Sequence, residues 1–192
     1  MTANLDKTIL QYDTAFSHCK QIFMRKTQTY GTSWRALRIR TVTDQIYIKA
    51  KRIRTIDETG EQKVKNTGDS IEDEFMGCVN YGIIGLIQLE LENNTAIPKE
   101  LNSQTTESYF DKYYQQIKEL MLAKNHDYGE AWRDMRISSF TDMILARIQR
   151  IKQIEDNKGE TFESEGIDAN YKDIVNYAIF ALIQLSEKNA AI

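Results

Sequence analysis

The stretch D-A-N-Y-K-D-I-V-N-Y-A-I-F-A-L-I-Q-L, Asp168 to Leu185, decides the fold. Ile174, Val175, Ala178, Ala181, Leu182 and Leu185 recur at three- and four-residue steps, the spacing of a helix packed on a core. Asp168, Asp173 and Asn176 stand where that helix turns from solvent into its apolar stripe. An ionised carboxylate there is costly without a cation partner, unless it faces the positive end of the helix dipole. The chain contains this helix twice. Phe75–Leu89 aligns with Tyr171–Leu185 at an offset of 96, with 8 of 15 positions identical. Upstream, Lys26–Ile56 aligns with Lys124–Ile154 at an offset of 98, with 13 of 31 identical.

The chain is therefore a tandem duplication, expected to pack as an internal homodimer about a pseudo-two-fold axis. The expected halves are residues 1–97 and 98–192 of one compact unit, joined around Pro98, the only proline in 192 residues. Apolar periodicity nearly throughout predicts an all-α fold of six main helices, three per repeat. The first helices are expected over about Leu5–Thr27 and Thr106–Lys124, stopping before the Tyr-Gly pairs at 30–31 and 128–129. The second are expected over about Thr43–Asp57 and Thr141–Glu155, with Thr41/Asp44 and Ser139/Asp142 read as N-terminal caps. The third are expected over about Ser70–Glu92 and Gly166–Lys188. Gly82 and Gly85 align with Ala178 and Ala181, so the third helices are expected to cross closely at these small pairs. The glycine-bearing loops before them read as mobile lids or as plain solvated connectors.

Composition narrows the class. A chain 41% hydrophobic and 28% charged is an ordinary globular protein. A net charge of −3 argues against dedicated nucleic-acid binding, although R-A-L-R-I-R and I-K-A-K-R-I-R form a local basic stripe. Cys19 and Cys78, both at apolar helical positions, fit free thiols of a reducing compartment. The opening M-T-A-N-L-D-K-T lacks an apolar signal core, and the apolar runs are too short to span a bilayer. The expectation is a cytoplasmic protein without a membrane partner, open to homo-oligomerisation.

The repeats differ in charge. Repeat 2 carries Asp127, Glu130, Asp134 and Asp173 where repeat 1 carries Thr29, Thr32, Ala36 and Gly77. This asymmetry predicts a working second half and a degenerate, scaffolding first half, with drift after duplication as the alternative. At about 100° per residue, Glu165, Asp168, Asp173 and Asn176 share an arc of about 140°. Such a face is broad enough to meet one hard divalent cation, Mg²⁺ or Mn²⁺, with its waters. Lys124, Arg133, Arg136, Arg147 and Arg150 supply cations suited to phosphates, or to a salt-bridge network between helices. Tyr128 and Trp132 offer rings to a base, or serve the core. His126 reads as a surface turn residue.

K-N-H-D-Y-G-E-A-W (124–132), A-R-I-Q-R-I (146–151) and D-x₄-D-I-V-N-Y-A (168–178), in that order, resemble the nucleotide modification associated domain family of bacterial and phage proteins. The resemblance runs through both repeats. The helix pattern is also similar to the MazG-like all-α NTP pyrophosphohydrolases, in which helical acids hold Mg²⁺ for water attack on a nucleoside triphosphate. Asp173, with Tyr177 four residues on, resembles the last acid of their second metal motif; their paired-Glu ExxE helix is not evident here. The resemblance implies a Mg²⁺-dependent protein acting on a nucleotide. Glu165, Asp168 and Asp173 would then hold metal, and Glu130 and Asp173 would act in catalysis. Lys124, Tyr128, Trp132, Arg133, Arg136, Arg147, Arg150 and Asn176 would contact the nucleotide. The competing expectation is a non-catalytic helical module that binds a nucleotide or a protein.

Overall fold

The computed structural model describes residues 2–64, 70–92, 100–157 and 165–190. The expected boundary at 97/98 and residues 65–69 and 158–164 of the glycine-bearing loops lie outside the described residues. Among the described residues six helices carry the fold: α1 (Thr2–Tyr30), α2 (Ile39–Thr59), α3 (Ile71–Leu91), α4 (Ser103–Tyr128), α5 (Ile137–Asp156) and α6 (Ile167–Ala190). No strand occurs among the described residues. A 3₁₀ turn separates the first two helices of each repeat, Ser33–Ala36 and Ala131–Asp134.

The helices form three layers, each a pair related by the duplication. In the central layer α3 packs on α6; α2 packs on α3, α5 on α6, and α2 meets α5. The third layer is α1 with α4, each touching both α3 and α6. One hydrophobic core draws on both repeats. The pseudo-two-fold shows in reciprocal pairs, where residue i of one half meets j of the other and j meets i. Lys20 reaches Asp111 at 2.7 Å and its counterpart Lys118 reaches Asp13 at 2.7 Å. Lys152 meets Asp44 at 2.9 Å, and the corresponding Arg54 meets Asp142 at 3.7 Å.

Glycine sets the central crossing. A Cβ on Gly82 would stand 2.5 Å from Val175 Cγ2, and one on Gly85 would stand 2.7 Å from the ring of Tyr171. That ring is fully buried and its hydroxyl pairs with Thr43 Oγ1 at 2.7 Å. At Gly31 and Gly129, φ values of 61° and 63° let the chain leave α1 and α4 in the left-handed region that a side chain disfavours. Burial pushes the Cys19 and Cys78 thiols up to about 12, so both are protonated at neutral pH.

The starts of α2 and α5 correct the expected caps. Both helices begin four residues earlier, at Ile39 and Ile137, behind extended Arg38 and Arg136 whose side chains make no capping bond. The acids assigned to those caps, Asp44 and Asp142, instead supply the reciprocal ion pairs between α2 and α5. The Thr43 hydroxyl turns back onto the Ile39 carbonyl at 3.2 Å. Side-chain capping occurs elsewhere: Ser70 and Asp73 form a capping box on α3, and Asn102 Oδ1 accepts from the Thr105 amide at 2.8 Å on α4.

Candidate functional site

The end of α4, the middle of α5 and the first turns of α6 bring charges of repeat 2 together. Asp173 lies on the core side of α6 and is 5% exposed. One of its oxygens accepts from Lys124 Nζ at 2.5 Å, and the other forms an ion pair with Arg147 Nη2 at 2.8 Å. Arg147 also donates to Glu165 Oε2 at 3.0 Å, which Arg150 reaches at 3.3 Å. Burial works against the charge on Arg147. The hydrogen bond with Tyr177 and the Asp173 carboxylate outweigh it, and hold the guanidinium pKa above its ordinary value. The arrangement is an alternating ion-pair cluster, with both oxygens of its one buried carboxylate engaged.

The other expected site residues fall apart from this cluster. Asp168 is exposed and pairs along its own helix with Lys172 at 3.2 Å. Glu130 accepts from Arg133 Nε at 2.8 Å and from the Thr8 hydroxyl. Arg133 further donates to Thr8 Oγ1 at 2.6 Å and Gln11 Oε1 at 2.8 Å, and lies 3.4 Å from Glu187. Glu130 and Arg133 therefore fasten repeat 2 to α1. Hydrogen bonds from Gln11 and Lys7 hold the Glu187 carboxyl below its usual range. Trp132 is buried, stacked on Phe180 with centroids 4.4 Å apart and with Arg133 over its ring, so it serves the core. Tyr128 is 75% exposed, and Arg136 is an exposed N-cap residue. Asn176 is buried and accepts from the Tyr12 hydroxyl at 2.7 Å.

Two side chains that carry the local geometry escape sequence reasoning. Gln184 Nε2 contacts the carbonyls of Trp132, Arg133 and Met135 at 2.9, 3.1 and 3.0 Å. Its counterpart Gln88 holds those of Trp34, Arg35 and Leu37 at 3.3, 3.5 and 2.7 Å. Each glutamine ties a 3₁₀ turn to its central helix. The available signal was an amide retained at one place in two otherwise apolar runs.

A divalent cation finds a poor seat in this arrangement. Mg²⁺ takes carboxylate oxygens whose lone pairs face it. Here those of Asp173 face Lys124 and Arg147, and Glu165 faces two arginines. Among the described residues no three His, Cys, Asp or Glu side chains converge.

The same place in repeat 1 differs. Lys26, Lys49, Gly77 and Asn80 stand for Lys124, Arg147, Asp173 and Asn176, and they line a cavity of about 390 Å³. Glu74, one turn before Gly77, pairs with Lys49 at 3.2 Å and with Arg52. The acid has moved along the helix, and no carboxylate pairs with Lys26 among the described residues.

No curated protein and no solved structure matches the chain. The family described as nucleotide modification associated domain 1 matches residues 26–89 and 124–185, one segment in each repeat. The chain belongs to this nucleotide modification associated family, in tandem duplicate.

Proposed function

We propose that this protein is a helical module that binds a nucleotide without hydrolysing it. One observation carries the choice between the two expected functions: both oxygens of Asp173 are held by Lys124 and Arg147. A metal-dependent hydrolase needs that carboxylate turned toward a cation and its water, whereas a binding module needs only its fold. The family description supports a nucleotide as ligand, and a cation-lined cavity beside an indole supports a phosphate with a ring attached.

Mg²⁺-dependent triphosphate hydrolysis in repeat 2 is the second reading. It is favoured by the retention there of Asp127, Glu130, Asp134 and Asp173 against four uncharged counterparts. Calorimetric titration with nucleoside mono-, di- and triphosphates, run beside an assay of phosphate and pyrophosphate release with Mg²⁺ and with Mn²⁺, separates the two. The expected result is saturable binding with no turnover. Metal-dependent turnover that disappears in Asp173→Asn would overturn the binding-module reading.

A further inference from the structure

We propose that the cavity of repeat 1 is where the ligand's phosphate binds, in the place that the Asp173 carboxylate takes in repeat 2. The inference rests on the nucleotide-binding reading and adds the location and the group recognised. In repeat 2 the matching cations and the amide oxygen find partners within the chain, while Asn176 Nδ2 has none. Asp173 supplies the anion to Lys124 and Arg147, and Tyr12 supplies a hydroxyl to Asn176 Oδ1. The pocket of repeat 1 lacks both suppliers. Gly77 stands for Asp173 and Phe110, without a hydroxyl, stands for Tyr12.

The consequences meet in one cavity. Lys26 and Arg25 line it and have no carboxylate partner among the described residues; Lys49 lines it too and shares Glu74 with Arg52. Among the described residues its one lining acid, Asp73, is turned onto the start of its own helix, accepting from the Ser70 amide at 3.0 Å and the Ser70 hydroxyl at 2.6 Å. Asn80 is 9% exposed and donates to the Cys19 carbonyl at 3.2 Å, which leaves its Oδ1 without a hydrogen-bond partner. An unpartnered buried acceptor is costly, so a hydroxyl or amine donor on the ligand is favoured there. Trp34 lines the same cavity, and the Phe180 that stacks on Trp132 has Ile84 as its counterpart, leaving the indole without that stacked ring. Three cations, a free acceptor and an indole in a pocket of this size fit a nucleoside monophosphate. Gly77 leaves room for the Lys49 side chain, which brings its ammonium to the cavity: a Cβ there would stand 2.5 Å from that flexible chain.

The test is calorimetric titration of the full chain with the four nucleoside 5′-monophosphates and, separately, with inorganic phosphate. Gly77→Asp installs the carboxylate of repeat 2, Gly77→Asn controls for its size, Lys26→Gln removes a cation, and Lys124→Gln is the matching change in repeat 2. The expected result is monophosphate binding that weakens at least about tenfold in Gly77→Asp and in Lys26→Gln, the loss of one charge-assisted contact. Gly77→Asn should weaken it less than Gly77→Asp, and Lys124→Gln by no more than about twofold. If Gly77→Asp does not fold, Lys26→Gln, an exposed side chain, decides alone. Monophosphate binding unchanged by Lys26→Gln would overturn the location and leave the nucleotide reading standing. Binding of inorganic phosphate alone, lost in Lys26→Gln, would keep the site and overturn the nucleotide. Binding of neither would overturn both.

Discussion

At Asp173 the cost of a buried charge decides what the residue is for. A carboxylate 5% exposed between Lys124 and Arg147 has given up its water for two cations, and each oxygen is engaged. Asp173→Asn leaves Arg147 facing a neutral amide in a half-dry place. Loss of a fully buried pair costs roughly 3–5 kcal/mol. Because the Lys124 side chain is 45% exposed and partly screened, about 2 kcal/mol is expected here. That corresponds to a fall in Tm of about 4–8 °C for a chain of this size. The repeat-1 solution supplies a rescue. Glu74 pairs with Lys49 and Arg52 one turn earlier, and its counterpart is Asn170. Adding Asn170→Glu to Asp173→Asn should recover a measurable part of the lost Tm. An Asp173→Asn protein as stable as the parent would mean the ion pairs contribute nothing. The cast of this cluster was legible in the sequence, because cations and acids share helix faces there. Which charges would neutralise which was not, since that depends on how α4, α5 and α6 approach one another.

At the scale of elements, the link between first and second helices separates what sequence shows from what it hides. The positive-φ glycines of the Tyr-Gly pairs end α1 and α4, a purely local preference, although both helices run on through the tyrosine rather than stopping before it. The starts of α2 and α5 were misplaced, because a hydroxyl followed by an acid satisfies the local capping pattern whatever the neighbours do. The tertiary demand that Ile39 and Val42 join the core and that Asp44 meet Lys152 overrode that pattern. One glutamine from the central layer ties each 3₁₀ turn, donating to three carbonyls of which only those of Trp34 and Trp132 also accept within the turn, from the Leu37 and Met135 amides. Gln184→Leu keeps the volume and takes the donor from the Arg133 and Met135 carbonyls in a site where the side chain is 8% exposed, while the Trp132 carbonyl keeps the Met135 amide. A loss of about 1–3 kcal/mol is expected. Faster hydrogen exchange should be confined to the turn and the start of α5, as in local rather than global opening. A uniform rise in exchange over all six helices would assign the glutamine to global stability instead.

On the scale of the whole molecule, the internal two-fold makes α3 and α6 each other's environment. Both are apolar nearly all round, so neither can face water, and each half completes the core of the other. This was the most legible level, because the duplication is written in the sequence and a repeated helix with small residues at matching places implies a close crossing. The asymmetry of the crossing was hidden: glycine on α3 meets Val175 and Tyr171 of α6, bulkier than anything sequence spacing alone assigns to the contact. Gly82→Leu tests whether that approach is needed. Even its Cβ would stand 2.5 Å from Val175 Cγ2, so the leucine must move the valine, or push α3 from α6 and open the layer that every other helix packs on. Overpacking of this kind costs about 1–3 kcal/mol, set against the gain of about 1 kcal/mol or less from removing a mid-helix glycine. A net loss is therefore expected, and it should shrink when Val175→Ala clears the opposing methyl groups. In a double-mutant cycle the two substitutions should couple favourably by at least about 0.5 kcal/mol. Additive effects, or a Tm that rises in Gly82→Leu alone, would mean that the helices do not meet there and that the small pairs are incidental to the crossing.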